Sequence, residues 1–325
     1  MEKSKLRLGV NQLLRAPEFT VLVAFLVVVL GFTLAAPSSF LSARNVGSFL
    51  TAAAQLGSVA VGAAVLMIAG EFDLSAGSNY VFSGIAMCML ASNLHLPVGL
   101  ALLLGVLIAT LIGWLNGWIT VLTRIPSFIT TLGTWLVWFG LSLALSGGFF
   151  TYIPSSQLLN ILAGPLGEQF YASVFWWLVL ALASIVLLNR TALGNWIFAV
   201  GGRAEAARAV GVPVRRVKLF AFAFIGFTAG VSAIFTLGQQ GSMSSLYGQN
   251  LALEAIAASV IGGCSLFGGV GSVLGAVLGA IMMSMLNSGL VLAGAPTFWY
   301  QTFVGIIIVV AVIVNTALRR RILQS

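Results

Sequence analysis

Charge is what this sequence has least of. Only 7% of its residues are Asp, Glu, Lys or Arg, where a soluble domain carries roughly 25%. With 60% apolar residues and a positive mean hydropathy, the chain reads as a polytopic membrane protein. Histidine is nearly absent: His95 stands alone, which excludes a multi-histidine metal centre. The two cysteines, Cys88 and Cys264, lie in apolar or glycine-rich stretches without a CxxC spacing, so neither a disulfide nor a thiolate metal site is supported. Apolar runs such as FTVLVAFLVVVLGFTLAA from Phe19 lack the alternation of a membrane barrel and are continuous, so the spans are helices.

The length accommodates about ten spans of ~20 residues. They are expected near 19–36, 46–69, 76–92, 98–122, 127–146, 171–189, 219–238, 251–267, 271–292 and 298–317. This is an all-α bundle over 19–317, between a cytosolic N-terminal segment 1–18 and a cytosolic tail 318–325. The basic start and the apolar run ending in Ala35 and Ala36 mimic a signal peptide, but the apolar core exceeds the usual ~7–15 residues, so no cleavage is expected.

With the N-terminus inside, Lys3, Lys5, Arg7, Arg15, Arg124, six basic residues of 189–218, and Arg319, Arg320 and Arg321 face the cytosol. Only Arg44 falls outside, and fourteen of fifteen on one face satisfies the positive-inside rule. An even number of spans returns the C-terminus to the same side. The net charge of +8 follows this topology, and its confinement to a few loops argues against a nucleic-acid partner.

Three segments stand out. In GEFDLSAGSNY (70–80), Glu71 and Asp73 interrupt an apolar region with no Lys or Arg between Arg44 and Arg124 to pair with them. An acid at a bilayer centre costs about 2.5–3.5 kcal/mol on insertion scales. Asp73 or Ser75 could cap a helix starting near Ala76, or the segment, with Gly77 and Asn79, could line a transport route at a broken helix; the two readings are compatible. The second segment, VIGGCSLFGGVGS (260–272), looks like a phosphate loop but lacks the lysine that would reach β and γ phosphates, so no ATP hydrolysis by this chain is expected. Its Gly262, Gly263 and Ser265 remain candidates for a helix break on the pathway. The fragment 263–266 also resembles the serine of rhomboid-type proteases, yet a serine needs a base, and His95 falls on the opposite membrane face. No catalytic residue, metal or cofactor is expected on this chain.

The third segment, 189–218, is a cytosolic loop. After Gly201 and Gly202, Arg203 to Val210 favours a short helix, with Glu205 in its first turn and Arg208 nearer its end, as the helix dipole prefers. Gly211 and Pro213 then stop it. Such a helix suits a groove on a partner, although a merely positive inner loop fits the residues as well.

Other features are weaker. The outer connections 147–170 and 239–250 are Ser-, Gly-, Pro- and Gln-rich, and either cap a pathway entrance or are plain loops. Gly271, Gly275 and Gly279 share a helix face on which backbones can approach. Trp114, Trp118, Trp135, Trp138, Trp176 and Trp177 suit an interfacial belt, with sugar stacking as the lesser alternative. A short echo between the stretches around Asn116 and Asn287, five spans apart, fits either an inverted repeat, with Asn116 on the pathway, or chance. Acids within spans, Glu254 among them, are too few for a proton relay.

TALGNWIFAVGGRAEAARAVGV (191–212) resembles the cytosolic loop of permease subunits of ATP-binding-cassette importers for ribose and related monosaccharides. GEFDLSAGS at Gly70 is similar to that family's Gly-Ile-Asp-Leu-Ser-Val-Gly-Ser signature, and LEAIAASVIGGCSLFGGVGSVLGAVLGA at Leu253 is similar to its Leu-Asp-Ala-Ile-Ala-Ala stretch and glycine turn. The resemblance covers about 45–317. It implies a vitamin-B12-importer-like (type II) bundle in the bacterial inner membrane, surrounded by lipid and paired with a second copy or a paralogue. It also implies a cytosolic ATPase that holds the ATP and Mg, and a periplasmic sugar-binding protein. The coupling loop would comprise Gly194, Gly201, Gly202, Arg203, Glu205, Ala206, Ala207, Arg208 and Gly211, with Ala206 and Ala207 as its close face; Asp73, Ser75 and Gly77 match the signature. Arg203, Glu254 and the pair Glu71-Phe72 depart from the family pattern and leave the particular sugar and ATPase open. Alternatives are a permease for branched-chain amino acids or nucleosides, and a self-sufficient carrier or channel.

Overall fold

The computed structural model describes residues 17–296 and 298–324, and twelve helices account for most of them. In chain order they are α1 (Pro17–Ala35), α2 (Ala43–Ile68), α3 (Ala76–Ser92), α4 (Val98–Thr123), α5 (Ser127–Ser146), α6 (Gln157–Ala163), α7 (Ala172–Arg190), α8 (Ala192–Ala209), α9 (Val214–Gln240), α10 (Leu251–Ile261), α11 (Val273–Leu292) and α12 (Phe298–Gln324). Every expected span has a helix over it. By length and composition six of these can cross a membrane, namely α2, α4, α5, α7, α9 and α11. Shorter apolar stretches cover Val21–Ala35, Leu251–Ile261 and Phe298–Val310. The expected inner placement of Lys3, Lys5, Arg7 and Arg15 falls outside the described residues, as do the side chains of Arg319, Arg320 and Arg321.

The core forms around α2, which packs against α7, α9, α10 and α11. In lipid no hydrophobic gain drives helix association, so close backbone approach matters more. Residues 53–68 of α2 are small or aliphatic apart from Gln55 and Ser58, and nearly all are buried. A second seam joins α4 to α9, where Gly113 and Gly226 face each other. Gly279 does face the backbone of α10, at Ala258, and Gly275 that of Gly262 just past its end; Gly271 precedes α11 and packs on Ile68 and Cys264.

The structure differs from the sequence expectation in four places. The stretch 189–218 is mostly helix, because the Thr191 hydroxyl caps the Gly194 amide at 3.1 Å and the apolar Ile197 and Val200 are buried in the core. Helix α10 stops at Ile261 and not near 267, since Gly263 (φ 88°) turns the chain. The connections 147–170 and 239–250 carry structure: β1 (Thr151–Tyr152) pairs antiparallel with β4 (Ser242–Met243), β2 (Pro165–Leu166) pairs with β3 (Phe170–Tyr171), and Ser156 caps α6. Helix α12 continues past 317 into the segment expected as a tail.

Candidate functional site

Helix α2 ends in a Schellman motif: the Glu71 N–H donates to the Leu66 carbonyl at 3.1 Å, the Gly70 N–H to that of Met67 at 2.9 Å, and Gly70 takes φ +83°. The chain then breaks before α3 begins. In this gap the Phe72 N–H donates to Ser127 Oγ and the Leu74 N–H to Thr131 Oγ1, both at 3.1 Å. Two hydroxyls one turn apart on α5 thus satisfy amides that no helix serves.

Asp73 is 2% exposed. Its Oδ1 accepts from the Ser75 N–H at 2.8 Å and the Ser75 hydroxyl at 2.6 Å, and Asn116 Nδ2 donates to Ser75 Oγ at 2.7 Å and to Asp73 Oδ2 at 3.3 Å. Burial pushes the Asp73 carboxyl above the ordinary carboxylate range, and the bonds from Ser75 and Asn116 hold it back. Asp73 therefore stands at the start of α3 as an acceptor for its first amides, while Ser75, in the capping position, makes no side-chain cap bond. One turn on, Asn79 Nδ2 donates to the Ala109 carbonyl at 2.9 Å, and Gly77 lets α3 touch the backbone of Gly248. Glu71 has a partner after all, forming an ion pair with Lys218 in the first turns of α9.

The three sequence segments meet at the end of α2. A Cβ on Gly201 would lie 1.7 Å from the Ile68 carbonyl oxygen, so only glycine fits where α8 crosses. The Gly269 N–H donates to that same carbonyl at 2.9 Å, and Gly268 packs on Gly70 and Gly201. Gly262 and Gly263 form the start of the same turn, Gly262 against Gly275 of α11, and Ser265 Oγ accepts from the Phe267 N–H at 3.1 Å. His95 lies at the other end of α3 from this junction.

Beyond the junction α8 kinks at Arg203, whose φ −159° and ψ 95° are not helical. The short helix read from the sequence is thus the last stretch of α8. Gly202, Arg203, Glu205, Ala206, Arg208 and Gly211 are exposed, whereas Ala207 is buried against this chain's own core, so it is not part of an outward close face. A second Schellman motif ends the helix: the Val212 N–H donates to the Ala207 carbonyl at 3.0 Å, with Gly211 at φ +88°. Gly194 sits under the Leu188 carbonyl, at the tight corner from α7.

At the other end of α2 lies a polar cavity of ≈ 500 Å³ between α2, α3, α9, α10, α11 and α12. None of the pathway candidates read from the sequence lines it. Its polar lining comes from Asn45, Ser48 and Gln55 of α2, Glu254 of α10, and Ser284 and Asn287 of α11, with Tyr247 and Tyr300 beside them. The signal was present as helical spacing: residues 45, 48, 52 and 55, and 284, 287, 288 and 291, follow one face of their helices.

These features define an all-α polytopic membrane protein with an exposed basic helix end locked to one end of a buried helix and a polar cavity at the other. The chain belongs to the family described as branched-chain amino acid transport system permease component, whose profile matches residues 45–312. It is 36% identical over 305 residues to the probable ABC transporter permease protein YphD of Escherichia coli K12, covering 94% of this chain and 91% of that one. It is 31% identical to the xylose transport system permease protein XylH of the same strain, covering 93% and 92%. It is 32% identical to the autoinducer 2 import system permease protein LsrC of Photorhabdus luminescens, covering 93% and 90%. No solved structure gives a significant match.

Proposed function

We propose that the chain is the transmembrane permease subunit of an ATP-binding-cassette importer for a monosaccharide of the ribose, xylose or galactose kind. A periplasmic binding protein delivers the sugar, and a separate cytosolic ATPase, holding ATP and Mg, drives its passage. The permease has about ten membrane-crossing helices in a type II arrangement, lies in the bacterial inner membrane with both termini cytosolic, and works as a pair with itself or a paralogue. Family membership and the likeness to a xylose permease support this reading.

The observation that carries it is the glycine junction. The exposed end of α8, with Arg203, Glu205, Ala206 and Arg208, is held through Gly201 to the end of α2, so a push from a cytosolic partner reaches the bundle core directly. Gly194 and Gly211 fix the ends of that helix. Asp73, Ser75, Gly77, Asn79 and Asn116, with the turn at Gly262, Gly263 and Ser265, hold the break beside it and act in coupling more than in contact with the sugar.

Purification in gentle detergent with a tag on this chain tests the reading. A stoichiometric ATPase is expected, and Glu205→Arg or Arg208→Glu is expected to leave the permease folded but reduce both ATPase recovery and ATP-dependent uptake. A solitary protein that transports without an ATPase would overturn it. The family description also names branched-chain amino acids, and uptake of L-leucine in place of D-xylose or D-ribose would favour that second reading.

A further inference from the structure

The cavity toward the N-terminal end of α2 gathers polar side chains that face an open volume. Many helical serines and threonines donate to the carbonyl four residues back, as Thr51, Ser58, Ser142 and Ser184 do at about 2.7 Å, while Thr120, Thr130 and Ser173 are buried with neither a partner among the described residues nor a place in this cavity's lining. Ser284, only 5% exposed, makes no such bond, and Ser48 and Asn287 also form no side-chain hydrogen bond among the described residues. Hydroxyls and an amide facing a cavity without partners are hydrogen-bonding capacity left for a ligand or water.

The lining also restricts the ligand. Among the described residues that form it there is no Lys, Arg or His to balance a negative charge, and the one charged group is the carboxylate of Glu254, which accepts from the Tyr300 hydroxyl. An anion entering here would meet a carboxylate at close range without a counter-ion. Phe49, Leu56, Leu251 and Leu292 supply apolar lining among the amides and hydroxyls. The volume, ≈ 500 Å³, falls in the range of about 300–1,000 Å³ that holds small ligands.

We propose that this cavity is a binding site for a neutral polyhydroxylated molecule, contacted by Ser48, Ser284 and Asn287, and that Glu254 makes it reject anions. The proposal deepens the importer reading and rests on it for the side the cavity faces. The cavity lies about 20 Å along α2 from the glycine junction, hence toward the face where a binding protein would release its cargo.

The test needs no ATPase, so its failure and that of the importer reading are separable. The full chain is placed in lipid nanodiscs with a reporter thiol at the cavity wall, Ala52→Cys, or Val291→Cys where the first does not fold; Cys88 and Cys264 are buried. In mildly alkaline buffer, a cationic methanethiosulfonate is expected to label the reporter roughly tenfold faster than an anionic one, and Glu254→Gln to remove that preference. D-xylose, D-ribose or D-galactose at about ten times its dissociation constant is expected to slow labelling by a neutral reagent about tenfold. D-xylonate and L-leucine are expected to leave it unchanged. Protection by none of the three sugars, equal protection by D-xylonate or L-leucine, or a charge preference that survives Glu254→Gln would each overturn the proposal.

Discussion

The two ends of α2 are built on opposite rules. At its C-terminal end, glycines bring three backbones into contact, and the polar groups of the break between α2 and α3 are paired with hydroxyls, a carboxylate or an ion. At its N-terminal half, polar side chains face an open volume and several have no partner. A break whose backbone amides and acids are paired is suited to hold a shape; a cavity with unused donors and acceptors is suited to exchange them with something that comes and goes. The same helix serves both.

The comparison breaks most readily at Gly201. Gly201→Val places side-chain atoms where the Ile68 carbonyl stands, so the crossing of α8 must open. The expected destabilisation is about 3 kcal/mol or more, read as a lower melting temperature in detergent together with loss of uptake. Next is Asp73→Ala, which leaves the amide and hydroxyl of Ser75 buried without their acceptor, while Asn116 keeps its bond to Ser75 Oγ, at an expected cost of about 1–3 kcal/mol. A normal melting curve and normal uptake would make that network dispensable.

The ion pair is a smaller lever. Lys218 is 23% and Glu71 10% exposed by side chain, so Lys218→Met should cost about 1–2 kcal/mol. The exchanged pair Glu71→Lys with Lys218→Glu should regain part of it, and a double-mutant cycle measures the coupling. Least is expected at the cavity. Ser284→Ala removes a hydroxyl that bonds nothing among the described residues and should change stability by under about 0.5 kcal/mol, a contrast with Asp73→Ala that a single set of melting curves sharpens or removes.

The helices were legible because continuous apolar runs and glycine or proline stops are local signals. Helix α8 was harder to see: Gly194, Gly201 and Gly202 interrupt its short apolar stretch, and what makes it a helix is the cap at Thr191 and the docking of Ile197 and Val200, which only the packed core reveals. The end of α10 was misplaced because the apolar run continues past Ile261 while the backbone turns at Gly263. The three motifs could each be read, but not that Gly70, Gly201 and Gly268 touch, nor that Lys218, 147 residues away, answers Glu71. Sequence separation hides such pairs. Ser127 and Thr131 were invisible for a different reason, since they serve backbone amides, which carry no sequence label.

Helix α2 runs 26 residues without a proline, about 39 Å of continuous hydrogen-bonded backbone. No residue within it departs from helical backbone, so a single element links the two regions. In the proposed importer, a displacement imposed where α8 grips α2 would be carried along this one helix toward the opening at its far end.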